Sequence, residues 1–351
     1  MNNPAIEWTR YLCGQIQNSS LIFQKRFKEA AAAAEEILMG THYAEGEAKR
    51  TAEKWDEAVT AFGKAGDYSD AAKQIQATYC AEGEEKQAAK EWDEAITAFG
   101  KAGDYADAAE KIQAAYYAKS QVWLAPYRHV GGHVTFGSYP QTADGTDSTP
   151  IEWLVQDYDA DNNCSLLISR YGLDIQPYNK TYTNTSWEKC TLRTWLNDTF
   201  LNKAFTMEEQ LGIRLTNVDN SISQGYRKWN IKEENHTQDM IFLLSYAEAN
   251  KYFGVAYGDG KKADAAARIA ATAYAEKQGA YTNNNHKTED GAATTWWWLR
   301  SPGNNRRNAA HVDYDGSLIP RSVSVDRGCV RPALWVNLDA DFFQSLGSFG
   351  Q

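Results

Sequence analysis

The stretch "WWWLRSPGNNRRNAAHVDYDGSLIPRSVSVDRGCVRPALWVNL" (296–338) has two patterned ends and an unpatterned middle. The segments 296–303 and 329–338 are rich in tryptophan, valine and leucine beside proline or glycine, which is typical of strands that end in turns. Residues 304–328 mix Arg, Asn, His, Tyr, Ile, Pro and Val without a period of two or of 3.6. The two ends therefore predict scaffold, whereas the middle is a candidate for a role other than packing.

The bulk composition is that of an ordinary globular protein. The 351 residues are 43% hydrophobic and 23% charged, which is enough chain for two or three domains. A formal net charge of −10 argues against a partner that is a nucleic acid held by phosphate neutralisation. No membrane span and no secretion signal are visible, so localisation is open, with a cytoplasmic or phage-particle location as the default expectation.

Residues 1–120 are predicted to form an all-α region built from repeats. The segment "KWDEAVTAFGKAGDYSDAAKQIQATYCAEGE" (54–84) recurs as "EWDEAITAFGKAGDYADAAEKIQAAYYAKS" (91–120), a shift of about 37 residues, and a weaker copy ends at Glu47. In each unit we expect two helices separated by a turn, with Gly66-Asp67 ending one helix and Asp70 near the start of the next. The units resemble tetratricopeptide-like repeats, which implies a stacked scaffold for protein contacts or self-association.

Residues 121–351 follow a different pattern, in which short β-branched runs alternate with turn residues. We predict strands over 133–141, 151–159, 164–174 and 329–338, a helix over 186–205 capped by Ser186, and a strand at 241–244 that runs into a short helix. Mixed strands with a few helices indicate an α+β domain.

Four motifs in this second region carry a family resemblance: "YPQT…EWLV", "LLISRYGLD", "SW…LRTWLND.F" and "WWLRSPG…VRPALWVNL". Together they resemble bacterial and phage domains with a C-type-lectin-like fold, related to the formylglycine-generating-enzyme fold, that include variable proteins of diversity-generating retroelements. The resemblance implies a lectin-like scaffold whose segment between "WWLRSPG" and "VRPALWVNL" is rewritten by mutagenic reverse transcription. It also implies that this segment displays a ligand-binding surface.

The composition of residues 303–328 agrees with that implication. Randomising the adenines of Asn codons of the AAY type permits every residue type except Lys, Glu, Gln, Met and Trp. None of these five types occurs from Gly303 to Gly328, although they make up about a fifth of the whole chain. Within this variable region the small residues Ala309, Ala310, Val312 and Gly316 suit a strand and turn, and are expected to be framework.

Fourteen other residues of 303–328 are the candidate site. They combine arginine forks, a tyrosine, polar contacts and an apolar patch expected to be exposed at Leu318, Ile319 and Pro320. The predicted ligand-binding residues are Asn304, Asn305, Arg306, Arg307, Asn308, His311, Asp313, Tyr314, Leu318, Ile319, Pro320, Arg321, Asp326 and Arg327.

Two motif features have other interpretations. Trp296 to Trp298 could form a sugar-stacking platform, but strand alternation favours core packing for at least one of them. Arg300 and Arg331 are expected to hold buried hydrogen bonds or salt bridges rather than to contact ligand.

Enzyme and metal chemistry find little support in the sequence. The five cysteines are widely spaced with no CxxC pair, which departs from the paired cysteines of formylglycine-generating oxidases and from zinc sites. A calcium-dependent lectin remains open, because Asn337, Asp339 and Asp341 alternate after the last strand. The sequence therefore predicts a non-enzymatic binding protein without metal or cofactor, and its ligand is an unknown protein or surface molecule. The alternative is a lectin-like module that binds a fixed carbohydrate or protein.

Overall fold

The structure, a computed structural model, describes residues 4–229 and 231–345. The chain divides into two units, Met1–Lys119 and Ser120–Gln351. The first unit is helical and the second is rich in sheet, so the chain is α+β. The helices of the first unit are α1 (Pro4–Thr51), α2 (Trp55–Ala65), α3 (Ala71–Ala88), α4 (Trp92–Ala102) and α5 (Ala108–Leu124), the last of which continues into the second unit.

The internal repeat is visible in the packing of glycine against phenylalanine. A Cβ at Gly83 in α3 would lie 2.5 Å from the ring of Phe99 in α4, and a Cβ at Gly46 in α1 would lie 2.7 Å from Phe62 in α2. Gly46 belongs to the weaker copy that ends at Glu47, so the same glycine–phenylalanine contact joins each copy to the next. Close helix approach at these points depends on the missing side chain.

The turns between helices follow the predicted chemistry only in part. Gly66 has a φ of 57° and caps the end of α2, as expected. Asp70 is the N-cap residue of α3, but its carboxylate accepts no bond from a backbone N–H of that helix. It accepts instead from the Tyr43 hydroxyl at 2.6 Å and the Gln74 amide at 2.9 Å. Asp70 therefore connects neighbouring repeat copies.

The second unit contains two main sheets and two short strand pairs. The first sheet has the order β1-β2-β3-β13 and is antiparallel throughout. The second has the order β11-β10-β9-β12-β4, in which β9 and β12 are parallel. The strands are β1 (His133–Tyr139), β2 (Thr149–Asp159), β3 (Cys164–Ser169), β4 (Asp174–Ile175), β5 (Thr216–Val218), β6 (Thr237–Asp239), β7 (Thr282–Lys287), β8 (Ala293–Thr295), β9 (Trp297–Pro302), β10 (Asn308–Val312), β11 (Leu318–Ser322), β12 (Cys329–Val330) and β13 (Ala333–Asn337).

Short helices cover these sheets, and the predicted helix over 186–205 is broken into pieces. Ser186 precedes a single 3₁₀ turn, Trp187–Lys189, without a side-chain cap bond. The helix proper begins after Cys190, whose sulfur accepts from the backbone N–H of Arg193 at 3.4 Å. It passes through a π-helical segment, Leu196–Phe200. The helices are α6 (Thr191–Trp195), α7 (Leu201–Ala204), α8 (Met207–Leu211), α9 (Tyr246–Phe253), α10 (Ala273–Gln278) and α11 (Asp341–Ser345).

Three predicted strands differ from the structure. The strand predicted over 164–174 is divided between β3 in the first sheet and β4 in the second. Residues 241–244 form no ladder and contribute only an isolated bridge, Phe242 to Ala333. The predicted strand 329–338 is interrupted at Arg331-Pro332, because proline has no N–H to continue a ladder. The chain there leaves the second sheet as β12 and enters the first as β13, while the Pro332 carbonyl accepts from Ser169 N at 3.0 Å.

One hydrophobic core occupies the second unit and includes residues from both main sheets. Its largest fully buried side chains include Trp153, Trp187 and the three consecutive tryptophans at 296–298. The region 296–338 thus supplies a large part of the core as well as the hairpin described next.

Candidate ligand-binding surface

Residues 303–328 contain a hairpin at the edge of the second sheet. Strands β10 and β11 pair in regular register from Asn308↔Ser322 to Val312↔Leu318, and Gly316, with a φ of 91°, forms the turn between them. A first loop, 303–307, joins β9 to β10, and a last segment, 323–328, joins β11 to β12. The segment without sequence period is therefore a hairpin with three connections rather than one long loop.

The first loop exposes Asn304, Asn305, Arg306 and Arg307 to solvent. Hydrogen bonds within the loop hold its backbone. The side-chain oxygen of Asn305 accepts from the Arg307 N–H at 2.9 Å, and that of Asn304 accepts from the half-buried Asn308 amide at 2.7 Å. Two guanidinium groups are thereby presented on a loop of defined shape, which suits hydrogen bonding to a partner.

A neighbouring loop that the sequence analysis did not single out extends this surface. Tyr182 is 57% exposed, and the guanidinium carbon of Arg307 lies 5.4 Å from its ring centroid. The Thr185 N–H donates to the Arg306 carbonyl at 3.0 Å. No local pattern in the segment 180–186 indicates this contact, because it arises from residues about 120 positions apart.

The turn and the last segment contribute further exposed groups. Asp326 and Arg327 are exposed, and Tyr314 is half-buried. Tyr314 has two aromatic neighbours, Tyr281 with ring centroids 6.1 Å apart and His286 at 5.3 Å. Both neighbours flank or lie within β7, so this strand adds aromatic area beside the turn.

Three predicted ligand-binding residues are buried, which corrects the prediction for them. His311 and Leu318 are 0% exposed and Asp313 is 6% exposed. Leu318 belongs to the main core, so the apolar patch expected at 318–320 is reduced to Ile319 and Pro320, which are half-buried. Alternation alone would expose one face of β10, but residues 309–312 are all buried, so packing covers both faces of this strand.

His311 is enclosed by aromatic rings and charged neighbours. Its ring centroid lies 5.0 Å from that of Trp296 and 6.2 Å from that of Trp298. Its Nε2 accepts from Arg321 Nε at 3.4 Å and lies 3.7 Å from an Asp313 oxygen, too far for a hydrogen bond. Burial lowers the pKa of His311, so the ring is neutral at pH 7.

Arg321 is half-buried, with its guanidinium carbon 4.5 Å from the ring centroid of Trp296. This cation–π contact fixes the Arg321 side chain, while its terminal N–H groups stay near the surface. The four residues predicted to be framework, Ala309, Ala310, Val312 and Gly316, are all buried, so that prediction is confirmed.

The flanking motifs are scaffold. Trp296, Trp297 and Trp298 are at most 2% exposed, so the sugar-platform interpretation is wrong and core packing is confirmed. The indole N–H groups of Trp297 and Trp298 donate to the Ala267 and Gln176 carbonyls at 2.9 Å. Arg300 and Arg331 are 2% exposed and hydrogen-bonded, as predicted.

The side chains on which a calcium site or a reactive thiol would depend are engaged in other contacts or buried. Asp339 accepts from the Asn163 amide at 2.6 Å, and Asn337 accepts from the Asp339 backbone N–H at 3.1 Å. Within 4–229 and 231–345, no three His, Cys, Asp or Glu side chains converge to hold a metal ion. Burial raises the pKa of the Cys190 and Cys329 thiols to about 12, which keeps both protonated.

Comparison with known proteins places the sheet-rich unit in a family. Residues 162–338 match a Domain of unknown function (DUF6273). The chain belongs to this family. The DUF6273 match ends at Leu338, just after β13, and contains the whole of the hairpin and its connections. No curated protein and no solved structure matches the chain. Among the described residues, no helix has the length and apolar character needed to cross a bilayer.

Proposed function

We propose that this DUF6273 protein is a non-enzymatic binding protein whose C-type-lectin-like domain displays a retroelement-diversified surface. The proposed surface comprises the first loop, the turn at Tyr314, the outer side of β11 and the last segment. Its ligand is an unidentified protein or surface molecule, and the helical repeats serve protein contacts or self-association. One observation carries the proposal: the exposed side chains of 303–328 are all types reachable from Asn codons, while Ala309, Ala310, Val312 and Gly316 occupy buried positions of β10 and the turn.

This division of roles is what a diversified surface requires. Substitutions at 304–307 and at Asp326 and Arg327 change exposed side chains, where most exchanges alter stability by about 0.5 kcal/mol or less. Buried Ala309, Ala310 and Val312 keep β10 in place between its neighbours. A scaffold of this kind tolerates many surfaces, as antibody loops do on their sandwich.

The exposed chemistry suits recognition of a macromolecule more than of a small molecule. Arg306, Arg307 and Arg327 present forked donors over a broad face, and Tyr182 and Tyr314 offer rigid aromatic contacts. Arginine and tyrosine are enriched among residues that dominate binding energy at protein interfaces.

Sequencing of the locus and of related strains tests the proposal. We expect a near-identical template copy and a reverse transcriptase gene nearby, with strain differences concentrated at codons that correspond to template AAY. Residues 296–302 and 329–338 serve as the internal control and should not vary. A locus without template and reverse transcriptase, or differences scattered evenly over 162–338, would contradict the proposal.

A second candidate function is fixed recognition, and an aromatic cluster outside 303–328, which is bridged to β11 at Tyr257↔Leu318, favours it. Tyr226 and Tyr257 stack with ring centroids 5.1 Å apart, Trp229 and Tyr246 pack edge-on against Tyr226, and Tyr257 is 49% exposed. Such stacked rings suit a sugar face or a proline-rich peptide. If binding of an isolated ligand is lost in Tyr257→Ala but retained in Arg307→Ser with Tyr314→Ser, fixed recognition is favoured over the diversified surface.

A further inference from the structure

The two buried arginines of the flanking motifs differ in how their charge is compensated. Arg300 pairs with Glu248 through both terminal nitrogens and also donates to Asn220 Oδ1 and to the Leu243 and Asp219 carbonyls. All three nitrogens of the Arg300 guanidinium donate hydrogen bonds, and its positive charge faces the Glu248 carboxylate. Glu248 also caps the first turn of α9, so this pair is part of the scaffold.

Arg331 is equally buried but has no carboxylate partner. Its Nε donates to the Ser169 carbonyl and its Nη1 to the Ala266 carbonyl, both at 2.9 Å. Nη2 makes no hydrogen bond to any described residue. The guanidinium carbon lies 4.8 Å from the Trp297 ring centroid and 5.0 Å from that of Phe253. Aromatic faces and carbonyls compensate a buried charge only in part.

This guanidinium lines a cavity of about 370 Å³. The walls come from β2, the end of β3, the end of α9, the segment 264–270 and the turn between β7 and β8. Tyr171, Tyr252 and Phe253 supply aromatic surface, and Arg268, which forms no ion pair with the described residues, adds a positive charge. Charged groups of both signs complete the lining: Arg170, which pairs with Glu152 and Asp290 and is half-buried, and the carboxylates Asp264, Glu289 and Asp290. No residue of 304–327 lines the cavity.

A second, independent feature of the cavity is an unused acceptor. The Gln156 side-chain oxygen is buried and has no hydrogen-bond partner. A buried acceptor without a donor destabilises the folded state, so native proteins retain few of them. The cavity thus holds an unpaired cation at one point and an unpaired acceptor at another.

We propose that this cavity binds a small organic carboxylate that also carries an O–H or N–H group. Its carboxylate pairs with the Arg331 guanidinium, and its donor bonds the Gln156 oxygen. A monoanion neutralises the single fully buried guanidinium, whereas a phosphate dianion would leave excess negative charge in a site with aromatic walls. The site is separate from the proposed diversified surface, so either can exist without the other.

Charge state is consistent with this role. Burial lowers the pKa of Arg331 to about 9, which leaves the group protonated at pH 7. The cost of keeping that charge buried decreases when an anion enters. Ligand binding should therefore stabilise the folded protein as well as fill the cavity.

The test measures binding of matched probes to the full chain by calorimetry and by the shift in melting temperature. Lactate and propionate differ by one hydroxyl, and propionamide is the neutral counterpart of propionate. We expect lactate to bind at least fivefold tighter than propionate, and propionamide to give no shift. Inorganic phosphate is expected to bind at least tenfold more weakly than lactate.

Variants assign the two contacts. Gln156→Leu should abolish the preference for lactate over propionate while leaving propionate affinity unchanged within twofold. Arg331→Lys should weaken both by at least tenfold, whereas the rim variant Arg170→Gln should change them less than threefold. If Arg331→Lys does not fold, the ¹⁵N–¹H signal of Arg331 Nε in the unmodified protein replaces it, and should move on addition of propionate.

Three results would overturn the proposal. They are equal binding of propionamide and propionate, no binding of either carboxylate up to about 50 mM, and unchanged lactate preference in Gln156→Leu. Tighter binding of phosphate than of lactate would assign the cavity to a different ligand class. None of these results tests the proposed diversified surface, because the cavity and the substituted residues lie outside 304–327.

Discussion

His311 shows how one residue can lie within the proposed diversified surface segment and still be buried. It is enclosed by Trp296 and Trp298, and the charged groups that face it are Asp313 and Arg321. A histidine codon is reachable from Asn, but the side chain is accommodated only because both tryptophans leave a ring-sized space. Exchange at this position should therefore affect folding more than ligand contact.

The lowered pKa of His311 predicts a specific dependence of stability on pH. In the unfolded chain the imidazole has a pKa near 6.5, whereas the buried ring resists protonation. As pH falls below about 6.5, the unfolded state takes up a proton that the folded state does not, so the free energy of unfolding falls. This loss continues down to the folded-state pKa and is absent above pH 7.

Urea unfolding between pH 7.5 and pH 5 measures the effect. His311→Asn should lose less stability over this interval than the unmodified protein, and the exposed His129→Asn should follow the unmodified curve. Parallel curves for all three proteins would mean that His311 titrates alike in both states.

At the scale of elements, the helical repeats depend on close contacts that the composition does not reveal. Gly46 and Gly83 lie against phenylalanine rings, whereas Gly63 and Gly100 have nothing within 4 Å of an added Cβ. All four glycines lie within helices. The same residue type therefore has opposite roles on two faces of one repeat.

Alanine substitutions separate these roles. Gly63→Ala and Gly100→Ala should each stabilise the protein by about 0.5–1 kcal/mol, since alanine favours helix. Gly46→Ala and Gly83→Ala should destabilise it by about 1–3 kcal/mol, because the rings of Phe62 and Phe99 must move. Thermal unfolding followed by circular dichroism at 222 nm compares the four variants. Equal effects at the four positions would contradict the proposed packing.

For the molecule as a whole, the proposed surface and the core of the sheet-rich unit should respond separately to substitution. The combined variant Arg307→Ser, Tyr314→Ser and Asp326→Asn changes only exposed or half-buried side chains. It should reduce stability by about 1.5 kcal/mol at most. Leu318→Ala, in the same hairpin, should cost about 2–5 kcal/mol because it empties a core position.

Chemical denaturation of both variants checks this separation. A loss in the triple variant as large as that of Leu318→Ala would show that the run is structural throughout. Each variant serves as the control for the other, since both change residues within 303–328.

Much of this architecture follows from the sequence alone. The repeat of about 37 residues, the change in composition near residue 120 and the strand patterns at 133–169 each depend on local periodicity, which is set by backbone geometry. Alternation also predicts that at least one of Trp296–Trp298 is buried, whereas the burial of all three requires cover on both faces, which only the tertiary structure supplies. The exposure of the first loop agrees with its polar, glycine-led sequence.

Tertiary structure alone decided the remaining points. The burial of His311 and Leu318 depends on which face of β10 and β11 meets the neighbouring elements, and no local pattern specifies that register. The interruption at Pro332 sends one continuous apolar run into two sheets. Arg300 and Arg331 look alike beside their prolines, yet only Arg300 meets a carboxylate, because its partner comes from a helix about fifty residues away. Local periodicity determines the elements, and their long-range pairing determines which side chains remain free to bind.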